Sequence, residues 1–310
     1  FGVMPSGEKV YEYTLTNKSG VSASFIELGA TWTKMLVPDR DGNMADVILG
    51  YDDLASYQVN TPHFGAPIGR NANRIGNAVI TIDGKDYKLE ANNGPNNLHS
   101  GPDYYRDRIW DAEVEETALG TTITFGLHSP DGDQGYPGNA DITVSYTLTP
   151  DNCLKLDYHM VSDADTIANF TNHVYFNLGG YKSGSALDQK VWIDADYFTA
   201  TDANSIPTGE LVAVKGTPMD FTEMKPIGRD IQEDYQALKY GNGYDHNWAL
   251  NHPAGELSLS AKAEDEKTGR TMEVYTDLPG VQFYTANSLK TEHGKNHAVY
   301  TPRCGYCFET

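Results

Sequence analysis

Cysteine is scarce in this chain. Three residues, Cys153, Cys304 and Cys307, are spread over 310 positions. So small and odd a number excludes a disulfide framework and mildly favours a reducing compartment. Cations are also in deficit: 23 Lys and Arg stand against 43 Asp and Glu, for a formal net charge of −20. Such a chain repels phosphate backbones and anionic lipid, so neither nucleic acid nor a membrane is expected as a partner. No apolar run approaches the ~18 residues of a membrane span, and no leader peptide is visible. The expected compartment is cytoplasmic, although a chain opening at Phe1 leaves a removed leader open. Phosphate loops and dinucleotide fingerprints are missing too. Cys304-Gly305-Tyr306-Cys307 has redox spacing without the following helix, and too few ligands for zinc. Asp131-x-Asp133-x-Gly135 opens like a calcium loop, but the twelfth position is Ile142 rather than a bidentate Glu. No metal and no cofactor is therefore expected.

Helical periodicity is rare, with residues 227–239 as the best candidate. Period-two alternation dominates instead. Val79-Ile80-Thr81-Ile82, then Asp83-Gly84, then residues 85–89 predict a hairpin, because Asp-Gly supplies the positive φ of a tight type I′ turn. Residues 121–127, 142–148 and 154–158 alternate, as do 190–195, 256–263 and 271–276. The 20 Tyr residues, with many Thr and Val, suit pleated, half-buried surfaces. Turn residues recur about every ten positions and no linker divides the chain. The pattern predicts an all-β fold, a sandwich rather than βαβ units, in one domain over residues 1–310.

Several stretches break the alternation with clustered polar side chains. Gly69-Arg70-Asn71-Ala72-Asn73-Arg74-Ile75 holds two arginines and two asparagines. Residues 92–99 form an Asn-rich loop ending in His99, and residues 131–138 form a second polar loop. Thr171-Asn172-His173-Val174-Tyr175-Phe176-Asn177-Leu178 puts His173, Tyr175 and Asn177 on one face if it is a strand. Gly243-Tyr244-Asp245-His246-Asn247-Trp248 pairs an acid with aromatics, with His246 pointing away from Asp245. Gln282 lies among apolar neighbours, and the chain ends Cys307-Phe308-Glu309-Thr310. Amides, carboxylates and imidazoles beside aromatic rings are what a neutral polyhydroxylated ligand needs, since hydroxyls donate and accept and a sugar ring has an apolar face. Trp110, Trp192 and Trp248 are read as core residues.

Taken in order, these segments resemble the aldose 1-epimerase family. Residues 206–210 and 218–221 add to the likeness, which runs from near residue 5 to the end. The resemblance implies a large twisted antiparallel β-sandwich, a supersandwich of the galactose mutarotase type. It implies His173 as general acid and Glu309 as general base. Arg70, His99 and Asp245 would hold the sugar, with Asn71, Tyr175 and Gln282 as further contacts, while Arg74 is read as structural. Ser100 departs from the family pattern, where Gly is usual, and Asp133-Gln134 replaces a more usual acidic pair.

The implied reaction interconverts the α and β anomers of a free aldohexose, by a monomer or homodimer. Glu309 takes the C1 hydroxyl proton and a charged His173 protonates the ring oxygen, which predicts a bell-shaped pH profile. A non-catalytic sugar-binding or sensing protein on the same scaffold is one alternative. A glycoside hydrolase using Asp245 and Glu309 as paired carboxylates is another.

Overall fold

The computed structural model describes residues 1–310. Nearly all regular structure is β, and the chain forms two compact units. The first comprises Phe1–Met35 with Tyr51–His173, the second Leu36–Gly50 with Val174–Thr310. No helix is long and apolar enough to cross a membrane.

In the first unit, Asp111–Glu116, Thr121–Ser129, Ala140–Leu148 and Leu154–Ser162 form an unbroken antiparallel meander. Alternation drives it: Ile123, Phe125, Ile142, Val144 and Tyr146 point inward and are buried. Tyr146 stacks on Phe25 with ring centroids 4.4 Å apart, joining the meander to the hairpin of Glu12–Thr16 and Ser22–Ile26. The outer strand Asp111–Glu116 carries four acids in six residues, which blunts an otherwise exposed sheet edge. The predicted hairpin is present, with Ile82 facing Lys85 across a two-residue turn. Asp83 and Gly84 have φ of 51° and 75°, as a type I′ turn demands.

The second unit has two main sheets. Lys225–Pro226, Lys190–Ile193, Ser258–Asp265 and Arg270–Thr276 make one. Pro207–Ala213, Tyr197–Thr201, Asp245–Ala249, Gly280–Tyr284 and Cys307–Glu309 make the other. One face of the five-stranded sheet is aromatic: Phe283 packs against Phe308 at 5.1 Å and Trp248 at 5.9 Å, with Phe221 alongside at 5.5 Å. Full burial of each such ring contributes roughly 1.5–3 kcal/mol.

Two expectations are corrected. Only Gln236–Gly241 is helical in the stretch predicted over residues 227–239. Ile227 and Ile231 are both buried at i, i+4 spacing, which mimics a helix. Asp230 instead draws in Lys225 and Arg229, and turn hydrogen bonds from Arg229 and Glu233 fold the backbone back. Residues 171–178 are likewise not one strand. Only Thr171–Asn172 forms a strand, paired with Pro67–Ile68, while Phe176 makes isolated bridges to Ile48 and Tyr306. Asn177 turns aside to donate to the carbonyls of Gly184 and Cys304. His173, Tyr175 and Asn177 therefore do not share a strand face, and His173 falls in the first unit while the other two fall in the second.

Candidate active site

The first unit gathers imidazoles. His173 is buried; its backbone N–H donates to Ala66 and its carbonyl accepts from Gly65. His99, at φ 55°, is tied to Asn73 twice: its N–H donates to the Asn73 carbonyl at 2.9 Å, and its Nδ1 accepts from the Asn73 N–H at 3.0 Å. An accepting Nδ1 places the His99 proton on Nε2, where it can be donated to a ligand. The two rings meet edge to face, with centroids 5.3 Å apart. Burial pushes the His173 pKa down to about 4; nearby Arg106 adds to this, while a bond to its own backbone opposes it. Burial, then charge on His173, Arg74 and Arg106, holds His99 well below the usual imidazole range. The reaction expected of His173 needs it charged, whereas burial in the free chain favours the neutral ring near pH 7, because a buried imidazolium forfeits its hydration.

The two arginines of the polar motif, expected as a sugar contact at Arg70 and a structural residue at Arg74, lie in different surroundings. Arg70 is fully buried. Its guanidinium donates to the carbonyls of Pro137 at 2.8 Å, Gly138 at 2.9 Å, Ser129 at 3.1 Å and Pro130 at 3.3 Å, and to the hydroxyls of Ser129 and Thr166. The polar loop of residues 131–138 is thus the wrapping of a structural arginine. Asp133 in that loop is bound by Arg108 through both oxygens. With its NH1 and NH2 nitrogens so engaged, Arg70 keeps only Nε without a partner, and that atom is buried within the protein. Asn71 is also locally occupied, its amide donating to the Ala72 carbonyl and its N–H to Ser100 Oγ. Arg74 is half-buried beside His99, held by the side chains of Asn93 at 3.0 Å and Asn73 at 3.3 Å. Asn73 and Arg74 are the residues that the motif alone did not separate from their neighbours.

The second unit gathers carboxyl, amide and phenol groups on the polar face of its five-stranded sheet. Gln282 faces Glu309 and Asn247 across the ladder, and Tyr284 faces Cys307 and Asp245. Because side chains alternate, these six residues project from one face, opposite the aromatic core. Glu309 is buried and fixed by strand pairing. Gln282 Nε2 donates to Asp245 Oδ1 at 2.8 Å, which aims that carboxylate. The ring of Tyr175 lies 6.0 Å from that of Tyr284. Burial, then the negative character of Cys307, Tyr284, Glu309 and Asp245, holds the Tyr175 phenol protonated as a donor. His246 is on the opposite face, with its Nδ1 accepting from the Asp245 N–H and its Nε2 3.0 Å from the Ala237 carbonyl. Trp110 and Trp248 are buried and Trp192 is half-buried.

A β scaffold carrying buried imidazoles, carboxylates and amides has the donors and acceptors that a polyhydroxylated ligand needs. The comparisons make this particular. The family model described as aldose 1-epimerase matches residues 11–310. Galactose mutarotase of Sus scrofa is 40% identical over 311 residues, covering 100% of this chain and 88% of that protein. The Homo sapiens galactose mutarotase is 39% identical over the same shares. Aldose 1-epimerase of Escherichia coli is 34% identical, covering 99% of this chain and 87% of its own. Among solved structures, galactose 1-epimerase from Lactobacillus acidophilus superposes with a TM-score of 0.87 at 28% identity, covering 99% of this chain and 87% of that one. The aldose epimerase homologue from C. elegans gives the same TM-score at 27% identity, covering 97% and 89%. The chain belongs to the aldose 1-epimerase family. It is an isomerase with the all-β galactose mutarotase-like fold, and neither the sensing nor the hydrolase alternative finds support among its relatives.

Proposed function

We propose that the chain interconverts the α and β anomers of a free aldohexose, glucose or galactose, with Glu309 as general base and His173 as general acid, and that both units serve one catalytic domain. The observation that carries this reading is the buried Glu309 carboxylate, clamped in a strand ladder on the same sheet face as Asp245 and Gln282. Such a group is costly to bury and is kept for its chemistry. Arg74, Asn73 and His99 bind sugar hydroxyls, in place of Arg70 and Asn71, and Asp245, Gln282 and Tyr175 are further hydroxyl partners.

Glu309 takes the proton from the C1 hydroxyl, and the electron pair forms the aldehyde C=O as the bond from C1 to the ring oxygen breaks. His173 gives its proton to that ring oxygen. Rotation about C1–C2 and reclosure with the roles reversed yields the other anomer. Holding every other hydroxyl fixed confines motion to C1. A His173 that is neutral in the free chain must be charged in the sugar complex, and an ionised Glu309 directed at the same sugar favours that charge. The profile of kcat/KM reports the free state and that of kcat the complex. The basic limb of kcat is therefore expected at higher pH than the value of about 4 in the free chain.

Optical rotation of freshly dissolved α-D-glucose and α-D-galactose tests the proposal. Wild type is expected to hasten approach to the unchanged final rotation, with His173→Ala and Glu309→Ala inactive. A wild type that binds sugar without altering the rate would sink the reading.

A further inference from the structure

One imidazole of the first unit has no part in the reaction above. His63 sits at φ 63° in the turn between the helix Leu54–Val59 and the strand Pro67–Ile68. The turn is rigidly specified. The His63 N–H donates to the Asn60 carbonyl at 2.9 Å, which also accepts from the Arg106 guanidinium at 2.5 Å. The Asn60 side chain bonds both the N–H and the carbonyl of Phe64. Gly65 lies so near Trp32 that a Cβ there would fall 1.9 Å from the Trp32 carbonyl oxygen. Only glycine fits.

This turn delivers the His63 ring against His173. The rings lie near-parallel, with centroids 5.7 Å apart and planes 17° from one another. His63 also meets His99 edge to face at 5.2 Å and Tyr104 at 4.8 Å. The Arg106 guanidinium lies over the Tyr104 ring, 4.4 Å from its centroid. His63 is 9% exposed, and its buried Nδ1 makes no hydrogen bond. An unpaired Nδ1 rules out a relay through that atom. Burial beside Arg106, His99 and His173 also disfavours charge on the ring. What remains for it to offer is a flat, neutral π face in an offset stack, a geometry aromatic rings prefer.

We infer that His63 is a positioning residue for His173: its ring face backs the His173 imidazole and holds it in one orientation while that ring gains and loses a proton. This rests on the proposed acid role of His173. Neither Arg106 nor Arg74 can do the same, because a cation against the ring would oppose its protonation.

The test compares His63→Leu with His63→Phe in the full chain. The two have similar bulk, and only Phe presents a flat face. Mutarotation kinetics, thermal midpoints and imidazole NMR of His173 are measured, with His173→Ala as control. His63→Leu is expected to lose roughly 10- to 100-fold in kcat at near-constant KM, the scale of a misplaced catalytic group. His63→Phe is expected to recover to within about threefold of wild type. The His173 ring resonances should broaden or shift in His63→Leu alone. Unchanged kcat in His63→Leu, with only the thermal midpoint lowered, overturns the inference and leaves a packing role. A loss confined to KM overturns it in favour of a sugar contact. Equal loss in both variants overturns it by showing that a ring nitrogen is needed. An active His173→Ala would instead overturn the acid assignment itself, independently of His63.

Discussion

Around its candidate site residues each unit buries ionisable groups of a different character, although the first also buries phenols such as Tyr146 and the second buries His246. The first buries His63, His99 and His173 near Arg106, and burial lowers the affinity of each ring for a proton. The second buries Tyr175, Cys304 and Cys307, and burial raises each of their pKa values. The rule is the same in both, since low dielectric penalises whichever form is charged. Its consequences differ: imidazoles are kept as neutral donors and acceptors, and phenols and thiols are kept protonated. The comparison teaches that one chain can prepare two kinds of surroundings for proton transfer. A proton donor and a proton acceptor need different surroundings, and pushing pKa values apart assigns the roles.

Breaking either side of this division should have the largest effect. Glu309→Gln and His173→Ala are each expected to lower kcat by roughly 10²–10⁴-fold. They should also remove opposite limbs of the pH profile, the acid limb for Glu309 and the basic limb for His173. Polarimetry from pH 5 to 9 checks both, and a flat wild-type profile would contradict the pairing.

The arginines sharpen the contrast within the first unit. Arg70→Ala strands several buried carbonyls and is expected to cost more than about 3 kcal/mol of stability. Arg74→Ala should leave stability within about 1 kcal/mol and raise KM about tenfold, as for a lost ligand contact. Urea unfolding beside steady-state kinetics separates them, and a reversed pattern would restore Arg70 as the sugar arginine.

Acid stability follows from the lowered histidines. A ring with folded pKa about 4 and ordinary value 6.5 binds fewer protons folded than unfolded across that interval. Its contribution is fully present above pH 6.5 and is lost as pH falls through about 4. For buried His173 this amounts to about 3 kcal/mol. His246, near 4 for the same reason of burial, acts likewise in the second unit. Calorimetric midpoints should fall between pH 6.5 and 4, and His173→Gln should flatten part of that slope.

The smallest effect concerns thiols. Cys153 is exposed, whereas Cys304 and Cys307 are buried, with burial pushing Cys304 up to about 11. One thiol of three is expected to react with a disulfide reagent in the native chain, and all three in denaturant. Rapid labelling of Cys307 would mean that the acidic face of the second unit opens.

Local pattern alone determined a good deal here. Strict alternation placed strands over residues 121–127, 142–148 and 154–158, inside the observed Thr121–Ser129, Ala140–Leu148 and Leu154–Ser162, because a half-buried strand has a period of two. Asp83-Gly84 determined its hairpin, because few residue pairs accept positive φ twice in succession. The ordered polar motifs by themselves pointed to the family. Only the tertiary structure decided which arginine is free. Arg70 and Arg74 stand four residues apart in one motif, and what distinguishes them is the carbonyl-lined loop some sixty residues later that closes over Arg70. Nor could sequence expose the isoleucine pair that imitates a helix near residue 230. The change of strand partners after Asn172 was hidden for the same reason. His63 was invisible too, since its stacking on His173 spans 110 residues of chain and depends on a turn that Gly65 alone permits. Periodicity records which face of an element is buried, but contacts between distant side chains exist only once the chain has packed.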